Sequence, residues 1–201
     1  MLRVAATAIR PTQGGGLVYG LDLVREASRV REMVALLSTD VGLYGDLTAL
    51  ENLRFAARML GITPDALALQ RVLDRVGLGR EGHERARNMS SGMQRRLSIS
   101  RLLLREPRVL LLDEPYNSLD PEGAQLVNAL MRETRDRGGS VLLVAHDMSR
   151  ADGLPDRTLV MQDGLLDEST ATRLADGDED SPDVLPFDAA RARRAERGGT
   201  R

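Results

Sequence analysis

Apolar positions recur along the chain with two different periods, and the switching between them sets out the expected elements. Leu2, Val4, Ala5, Ala8 and Ile9 share one face of a short helix, which Pro11 and the turn Gly14-Gly15-Gly16 bring to an end. Residues 16–23 read as a short strand and turn, residues 33–37 as a buried strand, and a charged helical turn lies between them. Leu50, Leu53, Ala56, Ala57 and Leu60 stand at helical spacing over residues 48–60, and residues 64–76 predict a second helix with Pro64 near its first turn. Residues 90–105 predict a helix opened by Ser90 and Ser91, which leads into the apolar run of residues 109–112. Pro121 opens a further helix, residues 140–145 form a second apolar strand, and residues 157–161 make a third.

Strands this uniformly apolar suit a sheet covered by helices on both faces. Their alternation with helices predicts βαβ units in an α/β fold with a mainly parallel sheet, whose ligands bind beyond the carboxyl ends of the strands. The pattern ends near residue 176, where Asp178, Glu179 and Asp180 give way to Arg191, Arg193, Arg194 and Arg197, so residues 176–201 read as a disordered charged tail. No internal repeat is present.

Composition narrows the function classes. A chain of 201 residues with 42% hydrophobic and 29% charged positions suits one soluble globular domain. Its formal charge of -2 gives no electrostatic reason to expect nucleic acid as a partner. The absence of cysteine excludes disulfides and thiolate metal sites. All 28 basic residues are arginine, with no lysine in the chain. No stretch reaches the roughly 20 apolar residues that span a bilayer, so membrane association is expected only through a partner. The apolar run in Met1–Arg10 is too short for a signal-peptide core.

The candidate chemistry lies where the strands end. Asp113 and Glu114 follow Leu110-Leu111-Leu112 and precede Pro115, so two adjacent carboxylates emerge together from the core. Asp113, on the strand axis, suits a Mg²⁺ ion that keeps several waters. Glu114 is oriented to hold or deprotonate water for in-line attack on a terminal phosphate. Taken alone, the pair reads first as an exposed turn stopped by proline; the other motifs turn the reading toward chemistry. His146 follows the other apolar strand and can come beside Glu114, to hydrogen-bond a terminal phosphate and hold the attacking water. His83 stands in a polar loop and reads as surface. Ser90, Ser91 and Gly92 open a helix whose free N–H groups and positive dipole end favour phosphate, although a serine there is also an ordinary N-cap.

Order and spacing bring these pieces together. Met89-Ser90-Ser91-Gly92-Met93, continued by Gln94-Arg95-Arg96-Leu97, resembles the Leu-Ser-Gly-Gly-Gln signature of the nucleotide-binding domain of ABC-type ATPases. Asp113 and Glu114 match that family's Mg²⁺ aspartate and catalytic glutamate, Ser118-Leu119-Asp120 its dimer-contacting loop, and His146 its switch histidine. The resemblance covers residues 1–175, with a helical insert over about 47–100, and implies a P-loop NTPase-like fold. It implies ATP and Mg²⁺ as cofactors and ATPase activity. It also implies a second ATPase subunit, identical or different, as partner, because two domains sandwich ATP head to tail. Ser90, Ser91, Gly92 and Met93 would then serve the partner's ATP, while Asp113, Glu114 and His146 serve the chain's own.

The sequence departs from the family at three points. A P-loop, Gly-x-x-x-x-Gly-Lys-Ser/Thr, requires lysine, and the chain has none. Gly14-Gly15-Gly16 is no substitute, because it precedes a strand, whereas a P-loop follows one and opens a helix. Met1 falls just after the place that loop occupies in the family. The expected explanation is a translation start upstream of Met1 on an intact gene, the other being a protein that has lost its phosphate-binding end. Thr39 replaces the glutamine that in the family contacts Mg²⁺ and senses the membrane subunit, and Met93 replaces the last glutamine of the signature.

Residues 43–58 are similar to the corresponding segment of haem-exporter ATP-binding subunits of c-type cytochrome assembly, and Gly92-Met93-Gln94 points the same way. This implies integral membrane permease subunits docked near the helical insert and the Thr39 loop, and a cytoplasmic location at the inner face of the cell membrane. Two alternatives remain: a non-catalytic module that donates its signature helix to a competent partner, and a soluble, non-transport ABC protein.

Overall fold

The computed structural model describes residues 1–151, 153–162 and 164–173; the charged tail over residues 176–201 lies outside them. The chain divides into two compact units between Leu154 and Pro155. In the first, β3 (Val34–Leu37), β4 (Val109–Asp113) and β5 (Ser140–Val144) form a parallel sheet in that order. β4 is therefore its central strand, and its alternating side chains enter two different cores. Leu110 and Leu112 join Leu53, Leu73, Leu97 and Val127 on one side, whereas Val109 and Leu111 join Leu2, Val30 and Val34 on the other.

Helices cover both faces, as the uniform apolar runs predict. α1 (Leu2–Ala5) and α2 (Ala27–Met33) flank one face, along with the two-residue antiparallel ladder of β1 (Leu17–Val18) and β2 (Leu21–Asp22). The other face carries α3 (Ala49–Met59), α4 (Ala66–Arg75), α5 (Ser91–Ser100) and α6 (Pro121–Asp136). Caps define the helix starts. Thr48 and Glu51 form a reciprocal capping box on α3, and the Asp65, Ser90 and Asp120 side chains cap α4, α5 and α6.

Several boundaries differ from the sequence pattern for local reasons. α1 stops at Ala5, ahead of Pro11, because Thr7 turns left-handed with φ +54°. Pro64 precedes the Asp65 cap rather than entering the first turn of α4. The expected helix over residues 90–105 is α-helical only to Ser100, and Arg101–Leu104 tighten into a 3₁₀ turn. There the Ser100 hydroxyl donates to the Leu97 carbonyl, while Arg101 is drawn to the carbonyls of Val41 and Gly42. Although apolar from Val141 onward, β5 is partly exposed, with Val144 40% exposed.

In the second unit, β6 (Arg157–Gln162) does not join a parallel sheet. It pairs antiparallel with β7 (Leu165–Arg173), Gln162 standing opposite Leu165. Two intervening residues suit a hairpin and are far too few for a parallel crossover.

Candidate functional site

The carboxyl ends of β3, β4 and β5 lie side by side: Leu37 pairs with Leu112, and Asp113 with Val144. This register gathers the Thr39 loop, the Asp113-Glu114 pair and His146 at one edge of the sheet. Thr39 is exposed, two residues past β3. Asp113 ends β4 with a partly exposed side chain. The Glu114 N–H donates to the Val144 carbonyl at 2.8 Å, which extends the pairing one residue beyond the strand. Glu114 Oε1 stands 3.4 Å from His146 Nε2. The glutamate side chain is only 16% exposed, whereas that of the histidine is 98% exposed, so the imidazole faces solvent over a sheltered carboxylate.

Glu114 has φ +46°, a left-handed conformation that a side chain with a Cβ adopts at a cost of about 1–3 kcal/mol. Its surroundings hold it there. The Glu114 carbonyl accepts from Arg95 Nη2 at 2.7 Å and from the Asn117 N–H at 3.3 Å. Arg95 is buried, and burial pushes its guanidinium pKa down, partly offset by the Asp113 carboxylate. Further along the turn, Arg150 donates to the carbonyls of Tyr116 and Leu119, both at 2.9 Å, and lies over the Tyr116 ring.

A second set of residues assembles away from this edge. Ser90, Gly92, Met93, Arg96, Ser118 and Asp120 line a groove of about 350 Å³ at the start of α5. Ser91 is exposed in the first turn. The Ser90 hydroxyl accepts the Met93 N–H at 3.3 Å, so it acts as a helix cap. Asp120 caps α6 through the Gly123 N–H at 2.9 Å, and its two carboxylate oxygens accept from Arg96 Nη2 at 2.6 and 2.8 Å. The backbone donor first, and then Arg96, hold the Asp120 carboxyl below its ordinary pKa. His83 is exposed, as its polar loop suggests.

The nine residues singled out in the sequence thus form two groups, Thr39, Asp113, Glu114 and His146 in one and Ser90, Ser91, Gly92, Met93 and Asp120 in the other. Arg95 ties α5 to the Asp113-Glu114 turn, Arg96 ties it to Asp120, and Arg150 holds the loop between; the sequence marks none of the three as a site residue. Arg95 and Arg96 appear there only as a continuation of the signature: the backbone carbonyls that Arg95 grips leave no partner side chain to betray it, and the Asp120 partner of Arg96 lies 24 positions away.

A partly exposed aspartate beside a sheltered glutamate is a hard-oxygen donor set that fits Mg²⁺ with retained waters. For a triphosphate the fit covers one end only. The carboxylates and His146 suit a terminal phosphate, but the nearest buried cation, Arg95, is turned inward onto backbone oxygens.

The parallel sheet flanked by helices is the ATP-binding cassette fold. A dimeric ATP-binding cassette in a post-hydrolysis state with ADP and phosphate superposes with TM-score 0.76, covering 88% of this chain and 80% of that one at 21% identity. An ATP-binding subunit of an ABC transporter gives TM-score 0.74, covering 99% and 78% at 22% identity. The ABC transporter family model matches residues 1–117. The cytochrome c biogenesis ATP-binding export protein CcmA 2 of Cupriavidus metallidurans is 38% identical over 76% of this chain and 72% of its own length. The daunorubicin resistance ATP-binding protein DrrA3 of Streptomyces coeruleorubidus is 37% identical over 87% of this chain and 56% of its own length. The Fe(3+) ions import protein FbpC of Rhizobium etli is 32% identical over 86% of this chain, which spans about half of that relative, 49%. The chain belongs to the ABC transporter ATP-binding family, and by that membership its class is ATPase.

Proposed function

We propose that this chain is the ATP-hydrolysing subunit of a membrane exporter, with residues 1–175 as its ATPase domain. The observation that carries the reading is the Glu114 carboxylate, sheltered at the end of the central strand and 3.4 Å from His146. Glu114 orients the attacking water and accepts its proton; His146, exposed above it, hydrogen-bonds the terminal phosphate and keeps that water in line. Asp113 holds Mg²⁺, which when bound offsets negative charge on the phosphate oxygens. Ser90, Ser91, Gly92 and Met93 face the ATP of a second cassette, with Asp120 in the loop between the two sites. Thr39 lies at the contact with an integral membrane permease, which draws the subunit to the inner face of the membrane; none of the described helices is long and apolar enough to cross it.

Phosphate binding by a lysine-bearing loop must come from outside these 201 residues, which contain no lysine. The isolated polypeptide is therefore expected to bind ATP weakly or not at all, and micromolar binding by isothermal titration would overturn this. In complex with a P-loop-bearing cassette it should support MgATP turnover at the partner's nucleotide, and with a P-loop supplied ahead of residue 1 on the same polypeptide Glu114→Gln should remove the turnover of its own site. Failure of any such cassette to turn over ATP with it would sink the proposal.

The narrower proposal is haem export for c-type cytochrome assembly, supported by the cytochrome c biogenesis relative. Deletion of the gene should deplete covalently bound haem on denaturing gels; normal c-type cytochromes would exclude this cargo. The absence of lysine favours a second reading, in which the chain only donates its signature helix. In that case Ser91→Arg abolishes stimulation of the partner's turnover while Glu114→Gln leaves it unchanged.

A further inference from the structure

Arg95 occupies the second turn of α5 at 3% exposure, and a buried cation is stable only where its donors are met. Its partners are backbone oxygens at the ends of two strands. Nη1 donates to the Ser38 carbonyl at 2.5 Å. Nη2 donates to those of Asp113 at 3.2 Å and Glu114 at 2.7 Å, and Nε to that of Pro115 at 3.5 Å. Three successive carbonyls can converge on one planar guanidinium only if the chain reverses sharply between them, and the reversal falls at Glu114, with φ +46°. Two residues before Arg95, Met93 lines the groove at the start of the same helix.

We propose that Arg95 is the positioning residue of the catalytic turn, holding Glu114 in its left-handed conformation and joining it rigidly to the helix whose start faces a partner's nucleotide. This rests on the reading of Glu114 as general base. Displacement at the start of α5 passes through Arg95 to the Glu114 backbone and to Ser38, so each cassette's water-activating group senses closure around the other's ATP. Lysine, a single point donor, cannot span oxygens from Ser38 to Pro115.

The test compares the full-length chain with Arg95→Lys and Arg95→Met. Hydrogen exchange should accelerate about tenfold across residues 113–117 in both variants while α6 keeps its protection. In a complex whose P-loop is supplied to this chain's own site, joined ahead of residue 1, kcat with MgATP should fall ~10- to 100-fold while KM stays within about threefold. Met fills the same space, so wild-type exchange and kcat in Arg95→Met would reduce Arg95 to a filler and overturn the proposal. Exchange that rises equally through α6, or a raised KM with kcat intact, overturns it too. If the wild-type complex itself turns over no ATP, the proposed function falls, while the exchange measurement still decides whether Arg95 holds the turn.

Discussion

Gly92 and Ser118 approach so closely that a methyl group on Gly92 would stand 3.0 Å from the Ser118 carbonyl oxygen. The start of α5 therefore rests directly on the turn that follows Glu114, and Ser118 is itself left-handed, with φ +62°. The start of α5 and the loop that leads from Glu114 to α6 are in mechanical contact here.

Gly92→Ala tests that contact. Alanine gains roughly 0.5–1 kcal/mol of helix propensity over glycine, which offsets the crowding against Ser118. The expected result is a thermal midpoint close to wild type together with a loss of about tenfold or more in turnover of the assembled ATPase, because the Ser118 loop is pushed off its position. Unchanged turnover would mean that the contact is only packing.

Glu114→Gln keeps the shape of the side chain and removes its ability to accept a proton. Turnover at this site should fall by ~10²- to 10⁴-fold. The stability of the chain should stay within about 1 kcal/mol, since no buried charge pair is broken. Hydrolysis measured under single-turnover conditions in the complex, alongside urea unfolding of the chain, separates the two effects.

Asp120→Asn retains a competent cap on α6 but loses the charge facing Arg96. The native carboxyl pKa is held low by the Gly123 N–H and by Arg96, so its stabilising contribution is complete above the unfolded value of about 4. It disappears as pH falls through the lower native value. The stability gap between wild type and Asp120→Asn, from urea melts, should therefore be widest near neutrality and close in strong acid. A gap that grows on acidification would contradict the assignment.

Tyr116→Phe removes the hydroxyl that donates to Asn128 Oδ1 at 2.7 Å inside the core. Loss of this buried bond should cost about 1–3 kcal/mol in equilibrium unfolding. Asn128 also donates to the Arg150 carbonyl at 2.9 Å, so the segment after His146 should loosen with it, visible as faster exchange over residues 148–151.

Much of the fold could be read from periodicity. The run Leu110-Leu111-Leu112 is apolar at every position because alternate residues enter cores on opposite faces, and that announces a central strand covered on both sides. The antiparallel partner of β6 is equally legible, since Asp163-Gly164 between two apolar segments is a hairpin signal, although the run of residues 157–161 by itself suits a strand of the main sheet. The early end of α1 was not legible, because nothing about Thr7 as a residue type forces a left-handed turn.

The strand ends, the carboxylate pair at one of them, the histidine beyond another and the serine-capped helix are each a local pattern of polarity and side-chain chemistry, and so are legible along the chain. What binds them is set by long-range packing. Arg95 reaches the Ser38 carbonyl 57 positions away and that of Glu114 19 positions away, and Arg96 reaches Asp120 across 24. Every residue carries a backbone carbonyl and the chain has 28 arginines, so composition and spacing cannot say which of them meet. That choice falls to the register of β3 on β4 and to the core that α5 shares with them, which gather distant backbone oxygens around a single guanidinium.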